Sequence, residues 1–146
     1  LRSYGFVPLE GIVIADAADE NSYYNGNPIW LLPEMYATDL TAELIAAGTN
    51  HLLLPGARAF EDPEEGDRNL TVTAVLRSGE TSYRKVLDAT TTDIAKTDGD
   101  PQQAFSLALE SRRVTAEGYI SRAFIIGCSA ASGFLAEGGA YLLHDP

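Results

Sequence analysis

Apolar and polar residues alternate along this chain in short runs separated by turn-forming residues, the pattern of a protein built mainly from strands. In Leu70–Arg77 (LTVTAVLR), Leu70, Val72, Ala74 and Leu76 alternate with Thr71, Thr73 and Arg77, the period of a strand with one buried face. Ser78-Gly79 then turns the chain into TSYRKVL, and a hairpin is predicted there. Gly11–Asp16 (GIVIAD) is a β-branched run that predicts a strand, followed by a polar loop from Ala17 to Pro28 with an Asn-Gly turn signal. Ile29–Leu32 is a further apolar run, stopped by Pro33, which has no N–H to give to a central ladder.

His51–Leu54 reads as a strand ended by Pro55-Gly56. Ala104–Val114 sets Phe105, Leu107 and Leu109 on one side, and its period of two favours a strand over a helix from Gln102 to Arg113. Tyr119–Gly127 (YISRAFIIG) predicts a central, buried strand with Ile120, Phe124 and Ile126 on one face and Tyr119, Ala123 and Ile125 on the other. Ala140–Leu143 predicts a last strand. Thr38–Gly48 breaks from this period: Leu40, Leu44 and Ala47 share a helical face, Asp39 and Glu43 suit an N-terminal end, and Gly48 suits a C-terminal stop.

The expected fold class is therefore α+β: a β-rich single domain of short, mostly antiparallel strands with one short helix over residues 38–48. Residues 1–10 are expected to form an N-terminal arm and residues 11–146 the domain. The acidic loop Glu61–Asp67 (EDPEEGD), whose like charges repel, is expected to divide the domain into two subregions.

Charge narrows the function. The chain carries 21 acidic and 10 basic residues, a net charge of −11. Nucleic acid and anionic membranes both require a basic face to exchange for counterions, so neither is an expected partner. No apolar run approaches the ~20 residues of a membrane span, and Leu1–Glu10 lacks the basic start and apolar stretch of a signal peptide, so a soluble chain is expected. Arg outnumbers Lys eight to two beside many acids and alanines, a composition that suits a halophilic habitat and a GC-rich genome equally.

Cys128 is the only cysteine, which rules out an intrachain disulfide framework. In IIGCSAASG it follows a predicted strand and precedes a small-residue turn, a place where a thiol nucleophile can sit beside backbone N–H groups. A base would have to come from His51 or His144, and a cysteine among Ala, Ser and Gly more often serves as a small buried residue. Asp93, Asp98 and Asp100 lack the spacing of an EF-hand, and two distant histidines with one cysteine make no zinc set. No phosphate-binding Gly-rich loop follows a strand, and Asn69-Leu70-Thr71 reads as a chance match to a glycosylation acceptor. No catalytic residue, cofactor or metal is assigned.

Aromatic residues crowd the first quarter of the chain. Tyr and Trp are enriched at interfaces, although the core of a small β domain uses them equally often, and Tyr4, Phe6, Val7, Tyr23, Tyr24 and Trp30 are the predicted partner-binding set. Gly5 and Pro8 weaken any isolated secondary structure in Leu1–Leu9, so this segment is expected to order only against a partner, as an added strand.

The N-terminal half resembles the head decoration proteins of tailed viruses. The likeness runs from Phe6 to Leu54: a strand with an acidic turn in GIVIADAADE, an apolar strand in NPIWLLPE, a short helix in TDLTAELIAAG and a closing strand in NHLLL. AVLRSGETSYRKVL resembles the same family's hairpin, whereas Leu109–Pro146 has no counterpart in it. The resemblance implies a non-enzymatic capsid decoration, or cement, protein on the virion surface, a homotrimer that binds the neighbouring major capsid protein. The alternatives are another virion part such as a tail subunit, a small cysteine hydrolase using Cys128, and a calcium-stabilised surface module.

Overall fold

The computed structural model describes residues 1–63, 69–88, 90, 92–130 and 142–144. Along them run a 3-10 turn (Arg2–Tyr4), β1 (Ile12–Ile14), β2 (Tyr23–Tyr24), β3 (Asn27–Leu31), β4 (Glu34–Met35), α1 (Ala42–Ala46), β5 (Thr49–Leu52), β6 (Leu54–Pro55), β7 (Leu70–Arg77), β8 (Tyr83–Lys85), β9 (Ser106–Val114), β10 (Ile120–Ile126) and β11 (Leu142–His144). The fold is β-rich α+β with a single short α-helix among the described residues, and every pairing between strands is antiparallel.

The largest sheet has the order β10-β9-β7-β4. Its middle strand β9 turns Leu107 and Leu109 inward, both fully buried, as the period of two requires. Opposite it, β7 follows its alternating pattern until the register slips between Ala74 and Leu76. This bulge lets two consecutive residues, Val75 and Leu76, both enter the core.

Asn25 and Gly26 both adopt left-handed backbone, φ 54° and 71°, and form the two-residue turn that joins β2 to β3. That geometry matches the right-handed twist of the flanking strands, which is why Asn-Gly occupies such turns.

The chain leaves the expected hairpin after β7. Ser78 instead bonds twice to Phe105, its N–H donating to the Phe105 carbonyl and its Oγ accepting the Phe105 N–H. The Gly79–Ser82 turn carries β8 away to pair with β1, Ile14 facing Tyr83 and Ile12 facing Lys85. Val13 and Ile14 are completely buried, so the short strand β1 gains both core contacts and a ladder partner. Gly11, at φ 86°, makes this approach possible, since a Cβ there would lie 2.3 Å from the Lys85 carbonyl oxygen.

The N-terminal arm also needs correction. Phe6 is 2% exposed and packs with Phe60 and Leu109, while Val72, Ala74, Ala123 and Ile125 close around this second cluster. The Leu9 N–H donates to Ala59 O and the Glu61 N–H to Val7 O, so residues 1–9 lie against the domain through main-chain bonds as well. Burial of an aromatic ring orders the segment without a partner. The halves before and after the acidic loop interlock through the β1–β8, β4–β7 and β5–β11 pairings, so that loop does not separate two units. Glu64–Arg68, in and beside it, lie outside the described residues, as do Ala140 and Tyr141 of the last predicted strand.

Candidate interaction surface

Among the described residues, the strand expected to be central lies at an edge. β10 pairs with β9 alone among the described residues, and Phe124, assigned from sequence to the core, is 50% exposed. Its other face does pack inward, where Ala123 and Ile125 meet the Phe6 cluster. The alternation was correct, but one face of this sheet is only partly covered.

Register builds that open face. Phe124 lies opposite Glu110, Arg122 opposite Arg112, and Thr73 and Thr71 continue the row on β7. The chain entering α1 crosses here, and the Arg122 guanidinium holds it by pairing with Asp39 at 2.9 Å. The Thr38 N–H donates to Thr41 Oγ1, whose hydroxyl donates to the Tyr36 carbonyl. These bonds fix residues 38–41 as a turn, which shortens the helix from the predicted 38–48 to Ala42–Ala46. Gly48 ends the segment in left-handed backbone, φ 83°.

So short a helix cannot bury its apolar face. Leu40 and Leu44 remain 45% and 39% exposed, and with Met35, Leu52, Leu76 and Phe124 they line an open groove of about 320 Å³. Helical spacing in the sequence identified Leu40 and Leu44 as one face but not that the face would be open, and Phe124 carried no signal separating an exposed apolar position from a core one.

The predicted partner-binding residues divide. Tyr24 and Trp30 come together on the β2–β3 hairpin, rings stacked with centroids 6.4 Å apart and Tyr24 exposed. Tyr23 packs against the main core and its hydroxyl donates to the Ala17 carbonyl. Tyr4 is exposed and stacks on Phe6 at 6.2 Å, Val7 is half-buried, and Phe6 is inside. Of the six, four come together as the stacked pairs Tyr4–Phe6 and Tyr24–Trp30 on separate elements.

Cys128 is buried in the main core, its thiol donating to the Pro55 carbonyl at 3.1 Å. His51 and His144 fall on the paired strands β5 and β11, opposite Leu143 and Thr49. The aspartates of the 93–100 loop fasten the loop itself. Asp93 accepts the Ala95 N–H, and Asp100 accepts the Thr97 N–H and hydroxyl while pairing with Lys85 at 3.4 Å. The Thr97 N–H, then its hydroxyl and the Lys85 charge, hold the Asp100 carboxyl below the usual aspartate range. Tyr83 donates to the Ile94 carbonyl, and burial followed by the charges of Asp100, Asp16 and Asp93 raises its phenol above the ordinary value.

Comparison with protein-family profiles, curated proteins and solved structures returns no match for this chain. The surface itself offers an apolar groove, a strand edge beside it and a stacked aromatic pair.

Proposed function

We propose that this chain is a non-enzymatic structural subunit of a virion, of the capsid decoration kind, which associates with copies of itself and with neighbouring capsid proteins. The observation that carries the proposal is the open apolar face, where Phe124, Leu40 and Leu44 stand half-exposed beside a strand edge that has no pairing partner among the described residues. Exposed apolar surface of this kind marks a contact surface. The resemblance of Phe6–Leu54 to head decoration proteins supplies the class of partner. A net charge of −11 would keep the remaining surface solvated on a crowded particle.

Co-assembly tests it. Shells built from the major capsid protein of the same genome are mixed with the chain and sedimented through a sucrose gradient. The chain is expected to travel with the shells at a saturable, fixed ratio and to raise their resistance to heating. A chain that stays at the top of the gradient at every concentration overturns the proposal.

A further inference from the structure

β10 ends the main sheet, and among the described residues nothing pairs with its outer edge. The Gly127 N–H donates to Leu107 O and the Thr115 N–H to Tyr119 O. These bonds set the phase of the ladder, so odd-numbered residues turn their main-chain groups toward β9. The N–H and C=O groups of Ile120, Arg122, Phe124 and Ile126 therefore point outward. Proteins blunt such edges with lysine, proline, bulges or brevity. This edge is 7 residues long, its register with β9 is unbroken, and Arg122 is its single charge.

We propose that a second copy of this chain is the partner of this edge, β10 pairing antiparallel with β10 about a twofold axis at Ala123. The proposal rests on the self-association suggested above and specifies its contact. Charge favours this place for two copies to meet: the chain has 21 carboxylate residues, yet Ile120–Ile126 contains none.

The outward groups select the register. With Ala123 at the centre, Ile120 meets Ile126 of the second copy and Arg122 meets Phe124, so every residue with outward main-chain groups enters a hydrogen-bonded pair, roughly eight ladder bonds in all. Arg122 lies beside an aromatic ring and aliphatic residues meet one another, pairings that stabilise a sheet. A register centred on Arg122 would oppose two guanidiniums directly, which is unfavourable. The seam is isologous and closed, and it covers the half-exposed Phe124 at the mouth of the groove.

Sedimentation velocity on the full chain, in dilute buffer and near ~1 M NaCl, reads the association; salt is expected to strengthen it by screening the repulsion between copies. The Phe124→Lys variant is expected to weaken self-association by about tenfold or more. The Ala123→Cys variant is expected to form a covalent dimer on mild oxidation, because only this register brings position 123 against itself. Circular dichroism checks the fold of each variant, and the crosslink decides the matter even where Phe124→Lys does not fold. A chain that is monomeric at all salt concentrations, or an oligomer of any size that Ala123→Cys does not crosslink, overturns the inference. If that happens while the chain still travels with shells, the proposed function stands and only the contact is wrong. A crosslinked dimer that binds no shell supports the contact and removes the function.

Discussion

Arg122 on β10 pairs with Asp39, 83 positions away in sequence, at 2.9 Å, and its second guanidinium nitrogen lies 3.8 Å from Glu110. The link ties the turn before α1 to the edge of the main sheet.

Its energetic value is small, because Arg122 and Asp39 are 47% and 74% exposed and solvent screens them. Asp39→Ala is expected to cost under ~1 kcal/mol in urea unfolding. Hydrogen exchange should nevertheless quicken in residues 38–48, since the turn loses its anchor. An unchanged exchange rate there would show that Thr38 and Thr41 hold the turn unaided.

Phe6 gives a larger effect. Its ring fills the space between Phe60 and Leu109, and Phe6→Ala is expected to destabilise the fold by about 3–5 kcal/mol through lost burial and a cavity. Deleting residues 1–9 should lower the melting temperature sharply. A melting temperature unaffected by the deletion would restore the picture of an arm independent of the domain.

Ser111 on β9 is fully buried, and its hydroxyl has no hydrogen-bond partner among the described residues. Its register neighbours are Ala123 and Val72, which offer only apolar side chains. Removing an unsatisfied buried hydroxyl relieves a desolvation cost, so Ser111→Ala is expected to leave stability unchanged or raise it by ~1 kcal/mol in chemical denaturation. A clear loss of stability would mean that the hydroxyl is satisfied after all.

The Asp100 clasp makes a pH prediction. Its carboxyl titrates lower in the folded chain than the ordinary value of 3.8, so in the acid range the unfolded chain binds more protons than the folded one. The stabilisation is therefore complete above the ordinary aspartate value and is lost as pH falls through the lower folded value. Thermal melts of the wild type and Asp100→Asn should differ at neutral pH and converge below about pH 3.8. A constant difference across that range would assign the effect to packing rather than ionisation.

Sequence alone determined the local parts of this fold. Period-two alternation placed β7 at its observed bounds, and Asn25-Gly26 marked a turn that only left-handed backbone can make. Each signal depends on neighbouring residues, through side-chain alternation or allowed φ, and each is therefore legible without the rest of the chain. It also placed Leu40 and Leu44 on one face, although the helix itself is confined to Ala42–Ala46.

Only the tertiary structure decided which elements meet. β8 pairs with β1 rather than β7, because a distant buried strand and the missing side chain of Gly11 offered the better approach. The same apolar character that suggested a central position for β10 fits its edge position, since alternation reports two faces without saying what covers either. Phe6 went inside because Phe60 and Leu109, far along the chain, left room for a ring. Burial is a property of the partners that a residue finds, and those partners lie beyond any window of local sequence.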